Sequence, residues 1–479
     1  MKKNISILIA TILLSTELFS QDNKCNCLEN LNKLVVKTEE NYVGFPAKVN
    51  HITGVNYKIL IKILHQKAST ELNPKTCFYL LKEYVKFFKD KHFILSYIND
   101  RDYDNEKIVY SETYFKKTLS KNKINKIEGV WINADTSLKL VILKFPSNIY
   151  KAIVLQSKDP KVSTGLVYIT LTPTKNGFIA KEFNTFITTD IPAKQKGNLL
   201  QIWNHNMFGK IYPNKLTQAE QSELNTWRNN NNGLNFKKLS SNTTYLKIPT
   251  FFNNDSKIQQ LVSKNDSIIK TCENLIVDLT GNGGGNTGWV SFLSYFMTNS
   301  IIQYDTYLRA TSDNIKLKLA DLEPFVMNPI PVEYKKYFPD TVVAEYKKAF
   351  KELPITNKSF YPIPGVTFPL DSIIKKPKKI ALIVDDFCGS STEYFFFISK
   401  QSKKTTTYGI NTIGMMDYEG MSSPTPLPYN KYILTIPIVK SSWTDKHPID
   451  QTGFQPDKLL NTIEQKNWVE YIRKALEQK

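Results

Sequence analysis

Residues Lys378 to Phe397 read K-K-I-A-L-I-V-D-D-F-C-G-S-S-T-E-Y-F-F-F, and no other stretch constrains the fold as tightly. Ile380 to Val384 form a continuous apolar run rich in β-branched residues, as expected of a parallel strand buried on both faces. The strand should end near Asp386, where the small residues Cys388, Gly389, Ser390 and Ser391 replace the apolar ones. Thr392, Glu393 and the aromatic run that follows then open a buried helix. Ser390 falls in the turn between strand and helix. The first N–H groups of a helix are unpaired and carry the positive end of its dipole, so they can stabilise an oxygen that gains charge. Ser390 is therefore a candidate nucleophile, although Ser391 or Thr392 could equally be a plain helix cap.

A second unit repeats the pattern. Asn274 to Thr280 read as another buried strand, run into Gly281-Asn282-Gly283-Gly284-Gly285-Asn286, and lead to an apolar helical segment from Trp289 to Met297. The loop lacks the Gly-Lys-Ser/Thr ending of a phosphate loop, and Asn286 stands where a dinucleotide fingerprint has its last glycine. A chain without Cβ atoms can bring its amides close to a substrate oxygen, so Gly283 and Gly284, with Ser391 N–H, are candidate oxyanion donors, the alternative being a purely structural glycine turn.

With G-I-N-T-I-G at 409–414 and G-F-Q-P-D at 453–457, these motifs resemble those of the C-terminal processing (tail-specific) serine peptidases. The resemblance covers the C-terminal half best. It implies an exported peptidase acting on peptide or protein substrates by acyl transfer, without metal or cofactor. Many such enzymes pair the serine with a lysine that follows the last glycine of G-x-x-T-x-G. Here Gly414 is followed by Met415. Members that lack the lysine, the tricorn-core type among them, place a histidine at the end of an N-terminal helix. His92 matches that place, with Lys91 where some relatives have serine. They also carry a glutamate three residues before the final G-x-x-P-D, and Asp450 stands there. The resemblance thus implies a triad of His92, Ser390 and Asp450, with His447 as the alternative base. Asp278, Asn282, Glu393, Thr412 and Gly414 are expected to support the site, Asp457 to organise the last loop, and Thr280 replaces the family's arginine. A histidine base would make activity climb as the imidazole loses its proton, around ~6.5 for an unperturbed ring. The alternatives are an inactive relative that holds a peptide or ligand, and an esterase or amidase acting on small molecules.

The rest of the chain divides by texture, giving an α/β (α+β multidomain) architecture. Residues 1–20 have the charge and apolar run of a signal peptide, so an exported, periplasmic or extracellular location is expected. Apolar residues recur at helical spacing over 21–104. Short β-favouring runs over 105–243 predict an antiparallel β domain, possibly a small barrel. The catalytic core should occupy 244–479, with a proline-rich insertion at about 311–369 reading as a cap or lid. One of Cys25 and Cys27 is expected to bridge to Cys77. The net charge of +19 comes from dispersed lysines without a nucleic-acid motif, and no mature segment is apolar enough for stable membrane insertion. Five scattered histidines form no zinc pattern.

Overall fold

The computed structural model describes residues 24–99, 105–109, 111–121, 125–204, 206–332, 335 and 338–478. The signal peptide expected at 1–20 lies outside them.

The described chain begins with three long helices, Cys27–Asn41, Gly54–Ala68 and Pro74–Phe88, with a single turn of helix at Phe45–Lys48 between the first two. Asn73 caps the third, its side chain accepting from Lys75 N–H at 2.9 Å and Thr76 N–H at 3.1 Å. Pro74 occupies the first turn, where the missing N–H costs nothing. Cys77, Phe78, Leu81, Tyr84, Val85 and Phe88 line the buried face. Cys27 is the partner of Cys77, with Cα atoms 5.4 Å apart, and Cys25 stays a buried thiol. The helix stops at Lys89, whose φ is 54°. The next strand, Ile94–Tyr97, pairs antiparallel with Tyr432–Thr435. This pairing brings the N-terminal helices and His92 to the C-terminal part of the chain.

Eight antiparallel strands between Gly129 and Tyr212 close into a barrel. Residues that alternate along the strands, such as Trp131, Leu140, Ile142, Val154, Ile169 and Phe208, form one apolar cluster, which Phe387 and Met415 extend from the catalytic core.

The core is a six-stranded sheet in the order Asn235–Lys238, Thr243–Lys247, Asn274–Asp278, Lys379–Val384, Thr405–Gly409 and Lys458–Leu459. All neighbours are parallel except the first pair. Asn274–Asp278 is buried throughout and lies beside Lys379–Val384, with Asp278 opposite Ile383. The glycine loop and the Ser390 turn therefore emerge side by side at the carboxyl ends of adjacent strands, where parallel sheets place their ligands.

The 311–369 insertion is more firmly attached than a lid. Leu322, Tyr346, Ala349 and Leu353 share one hydrophobic cluster with Leu31, Leu34, Phe78 and Phe88 of the N-terminal helices. Just before it, Arg309 Nη1 donates to Tyr42 O at 2.6 Å, while Lys37 and Asn41 hold Asp313. Its apolar residues pack with those of the helices, so the described part of the insertion stands as a wall beside them. Among the described residues no helix is long and apolar enough to cross a membrane, and no group of three or more His, Cys, Asp or Glu could hold a metal.

The Cys27–Cys77 bridge closes a separation of 50 residues and ties together the two helices that orient the His92 turn. Replacing both cysteines by serine should lower the unfolding free energy by about 2–4 kcal/mol, measured by urea denaturation against the oxidised protein.

Candidate active site

Ser390 sits immediately before the helix Ser391–Ser399 with φ 52° and ψ −125°, a conformation that non-glycine residues rarely adopt. Gly284 lies against it. A Cβ on Gly284 would come within 2.6 Å of Gly389 O and 2.8 Å of Ser390 Cβ, so only glycine lets the two loops touch. Ser391 locks them together, its hydroxyl donating to Asn286 O at 2.7 Å and accepting from Trp289 Nε1–H at 3.1 Å. Both serines line the cavity, but the Ser391 hydroxyl is committed to structure, which leaves Ser390 as the candidate nucleophile of the turn.

His92 arrives from 298 residues away. Its Nε2 stands 3.0 Å from Ser390 Oγ, and its Nδ1 stands 2.7 Å from Tyr418 O. A carbonyl can only accept, so Nδ1 carries the proton and Nε2 offers its lone pair to the serine hydroxyl. Asp90 supports the turn by accepting His92 N–H at 2.8 Å and Tyr42 O–H at 2.8 Å. Burial raises the Asp90 carboxyl above its ordinary value, and the nearby His92 ring and Tyr42 hydroxyl oppose that rise.

Asp450 does not reach the ring. It forms an ion pair with Lys48, whose ammonium also lies 5.5 Å from the centre of the Tyr418 ring, while Asp450 N–H donates to Asp417 at 2.8 Å. The expected place of Asp450 in the triad is corrected accordingly: a main-chain carbonyl holds Nδ1, and the carboxylate is engaged elsewhere. His447 is exposed and does not line the cavity.

The oxyanion donors also differ from expectation. Gly283 N–H donates to Asn204 Oδ1 at 2.8 Å, and Gly284 N–H to Asn282 Oδ1 at 3.0 Å, so both amides named from the sequence are occupied. Gly285 is the candidate in their place. Phe251 bonds the residues on either side of it, through Gly284 O and Asn286 N–H, which turns the Gly285 N–H the other way, and Gly285 lines the cavity. Among the described residues, the N–H groups of Gly285 and Ser391 have no acceptor.

The supporting residues act as braces. Glu393 is buried and accepts from Thr412 Oγ1–H at 2.6 Å, Gly414 N–H at 2.7 Å and Met415 N–H at 2.8 Å, tying the G-I-N-T-I-G loop to the helix behind Ser390. Burial raises its carboxyl, and these donors oppose the shift. Asp278 accepts Thr280 N–H at 2.8 Å and pairs with Lys247 at 3.0 Å, which fixes the start of the glycine loop. Asn282 also donates to Ile248 O at 3.0 Å, and Thr412 Oγ1 accepts Phe454 N–H at 2.8 Å. Asp457 accepts Thr407 N–H at 2.9 Å and pairs with Lys400 at 2.7 Å. Met415 is buried, and its sulfur fills the space beside Gly389, where a Cβ would come within 2.6 Å of it.

Two supports went unnoticed in the sequence. Asp385, given no role in the sequence reading, accepts Gly281 N–H at 2.9 Å and Phe387 N–H at 3.1 Å, bridging both loops. Burial alone would raise its carboxyl, yet the barrel's Lys194 and Lys196 hold it down to about 2. The barrel also sends the turn after Leu199–Ile202 into the site. Trp203 Nε1–H donates to Phe387 O at 2.9 Å, and a Cβ on Gly283 would lie 2.2 Å from that nitrogen. Gly283 thus makes room for the barrel rather than for substrate.

A serine bonded to a histidine, with main-chain donors beside it on a parallel sheet, defines a serine hydrolase site. Residues 242–460 match the model of peptidase family S41, so the core of the chain is similar to the S41 peptidases. The matched stretch contains Ser390 and its loops but not His92. Mature CPAF complexed with lactacystin is similar in fold, with a TM-score of 0.54 at 13% identity over 94% of this chain and 97% of that one. Mature CPAF gives 0.53 at 13% identity over 94% and 96%. The photosystem II D1 C-terminal processing protease gives 0.38 at 10% identity over 91% and 93%. No curated protein sequence matches the chain.

Asn204 touches no reacting atom but holds the amide two residues before the Gly285 donor. Asn204→Ala should lower kcat about tenfold and leave KM within about twofold, whereas Asn204→Asp, which keeps the acceptor, should recover most of the rate in steady-state peptide assays.

Proposed function

We propose that the protein is an exported serine peptidase that hydrolyses peptide bonds through an acyl-enzyme, with Ser390 as nucleophile and His92 as general base. The observation that carries this reading is the 3.0 Å contact between His92 Nε2 and Ser390 Oγ. A serine hydroxyl is a weak nucleophile near neutral pH unless a base takes its proton during attack. His92 Nε2 accepts that proton as the Ser390 oxygen bonds to the substrate carbonyl carbon. The oxygen of the tetrahedral species, now negatively charged, meets the Gly285 and Ser391 amides. The imidazolium returns its proton to the leaving nitrogen, and the C–N bond breaks. Water then attacks the ester with His92 again taking the proton, and Ser390 is released with the carboxylic acid product. The Tyr418 carbonyl keeps the ring in register and Asp90 holds the His92 main chain, so the Lys48–Asp450 pair acts at one remove.

Fluorophosphonate labelling separates this reading from that of an inactive peptide holder. Wild-type protein should be labelled on Ser390 and should cleave casein-derived peptides, and Ser390→Ala should lose both properties while its unfolding midpoint is unchanged. Asp450→Asn should retain activity within about tenfold. Absence of label on correctly folded wild-type protein would contradict the proposal.

A further inference from the structure

The cavity beside Ser390 contains a charge that the chemistry above leaves unused. It encloses about 520 Å³, and its walls include Trp289, Val290, Val366, Phe368 and Tyr394. Besides His92, Glu419 is the only titrating acid or base among its lining residues with an ordinary pKa below that of a phenol, and no lysine or arginine lines it. Tyr418 and Glu419 are adjacent in the strand Tyr418–Met421, so their side chains leave on opposite faces. Tyr418 is buried against Tyr42, and Glu419 turns to the cavity. Ser441 Oγ lies 3.0 Å from one Glu419 oxygen, its single proton shared with the Met416 carbonyl at 2.5 Å. Among the described residues the other oxygen has no partner.

An aromatic and aliphatic channel with one carboxylate suits a side chain with a long apolar stem and a cationic head. Resting on the acyl-transfer reading of the same site, we infer that this cavity is the specificity pocket and selects a lysine or arginine side chain beside the scissile bond, its stem against Trp289 and Tyr394 and its cation on Glu419. Burial pushes the Glu419 carboxyl up to about 7. The groups that face it are Ser441, the Tyr394 hydroxyl, the His92 ring across the cavity and Lys318, the last already paired with Asp321 at 2.9 Å. The carboxyl is neutral below that value and charged above it, so the preference for a cation should strengthen as pH rises.

Binding to Ser390→Ala tests the pocket without turnover. Fluorescein-labelled octapeptides would differ only in one lysine, norleucine or glutamate moved through the four central positions, read by fluorescence anisotropy. At one position lysine should bind at least about tenfold tighter than norleucine, and Glu419→Gln should reduce that ratio to within about twofold. No lysine preference at any position, or a preference that survives Glu419→Gln, overturns the inference. In the active enzyme the lysine-to-norleucine ratio of kcat/KM cancels the shared His92 proton. It should rise between about pH 6 and pH 8, and a flat ratio counts against the pocket. Labelling of Ser390 with no lysine preference would sink the pocket alone. A lysine preference in an unlabelled protein would sink the acyl-transfer reading and leave the pocket standing.

Discussion

The contact between His92 and Ser390 joins two residues that the chain keeps 298 positions apart, and much of the architecture serves to hold it. His92 follows a helix whose apolar face is packed against the other N-terminal helices, and it precedes a strand that pairs with Tyr432–Thr435. Val43 N–H also donates to Pro437 O at 3.0 Å. Each of these attachments orders the same short turn. An angular error of a few degrees at the end of the helix would move the ring by more than a hydrogen bond tolerates.

The other side of the site is braced by buried polar groups whose partners are complete. Glu393 satisfies three donors of one loop, Asp385 two donors of two loops, and Asn282 ties the glycine turn at Gly284 to the neighbouring chain at Ile248. Leaving such groups half-paired would cost more than an apolar replacement, so the arrangement fixes geometry rather than adding stability. The barrel belongs to this bracing. Its Trp203 and Asn204 turn occupies the space that Gly283 leaves open, and its lysines hold Asp385 ionised. Contact with the core through Phe387 and Met415 makes the barrel part of the catalytic wall.

Local features were legible in the sequence and long-range ones mostly were not. The runs at 274–280 and 380–384 announce buried strands because both of their faces are apolar, and the small residues after each announce tight turns. Asn282 two residues before Gly284 is an Asn side-chain turn in its own right, a signal that would have removed Gly284 from the oxyanion donors. His92 was found through a family resemblance, since nothing local distinguishes it from a packed histidine at a helix end. The Tyr418 carbonyl has no side-chain signature, so the sequence pointed instead to Asp450, the nearest suitable carboxylate in the motif. The apolar residues of the insertion fit a lid as well as a wall, and their shared cluster with Leu31 and Phe78 is a long-range contact with no local signal.

The central claim is that an imidazole delivered by the N-terminal helices activates the hydroxyl of the core. The rate of inactivation by a fluorophosphonate measures that activation directly in His92→Ala, without reference to any substrate. The rate should fall by about 10²–10⁴-fold and recover in part when free imidazole is added to fill the vacated space. An unchanged rate in the folded variant would contradict the account.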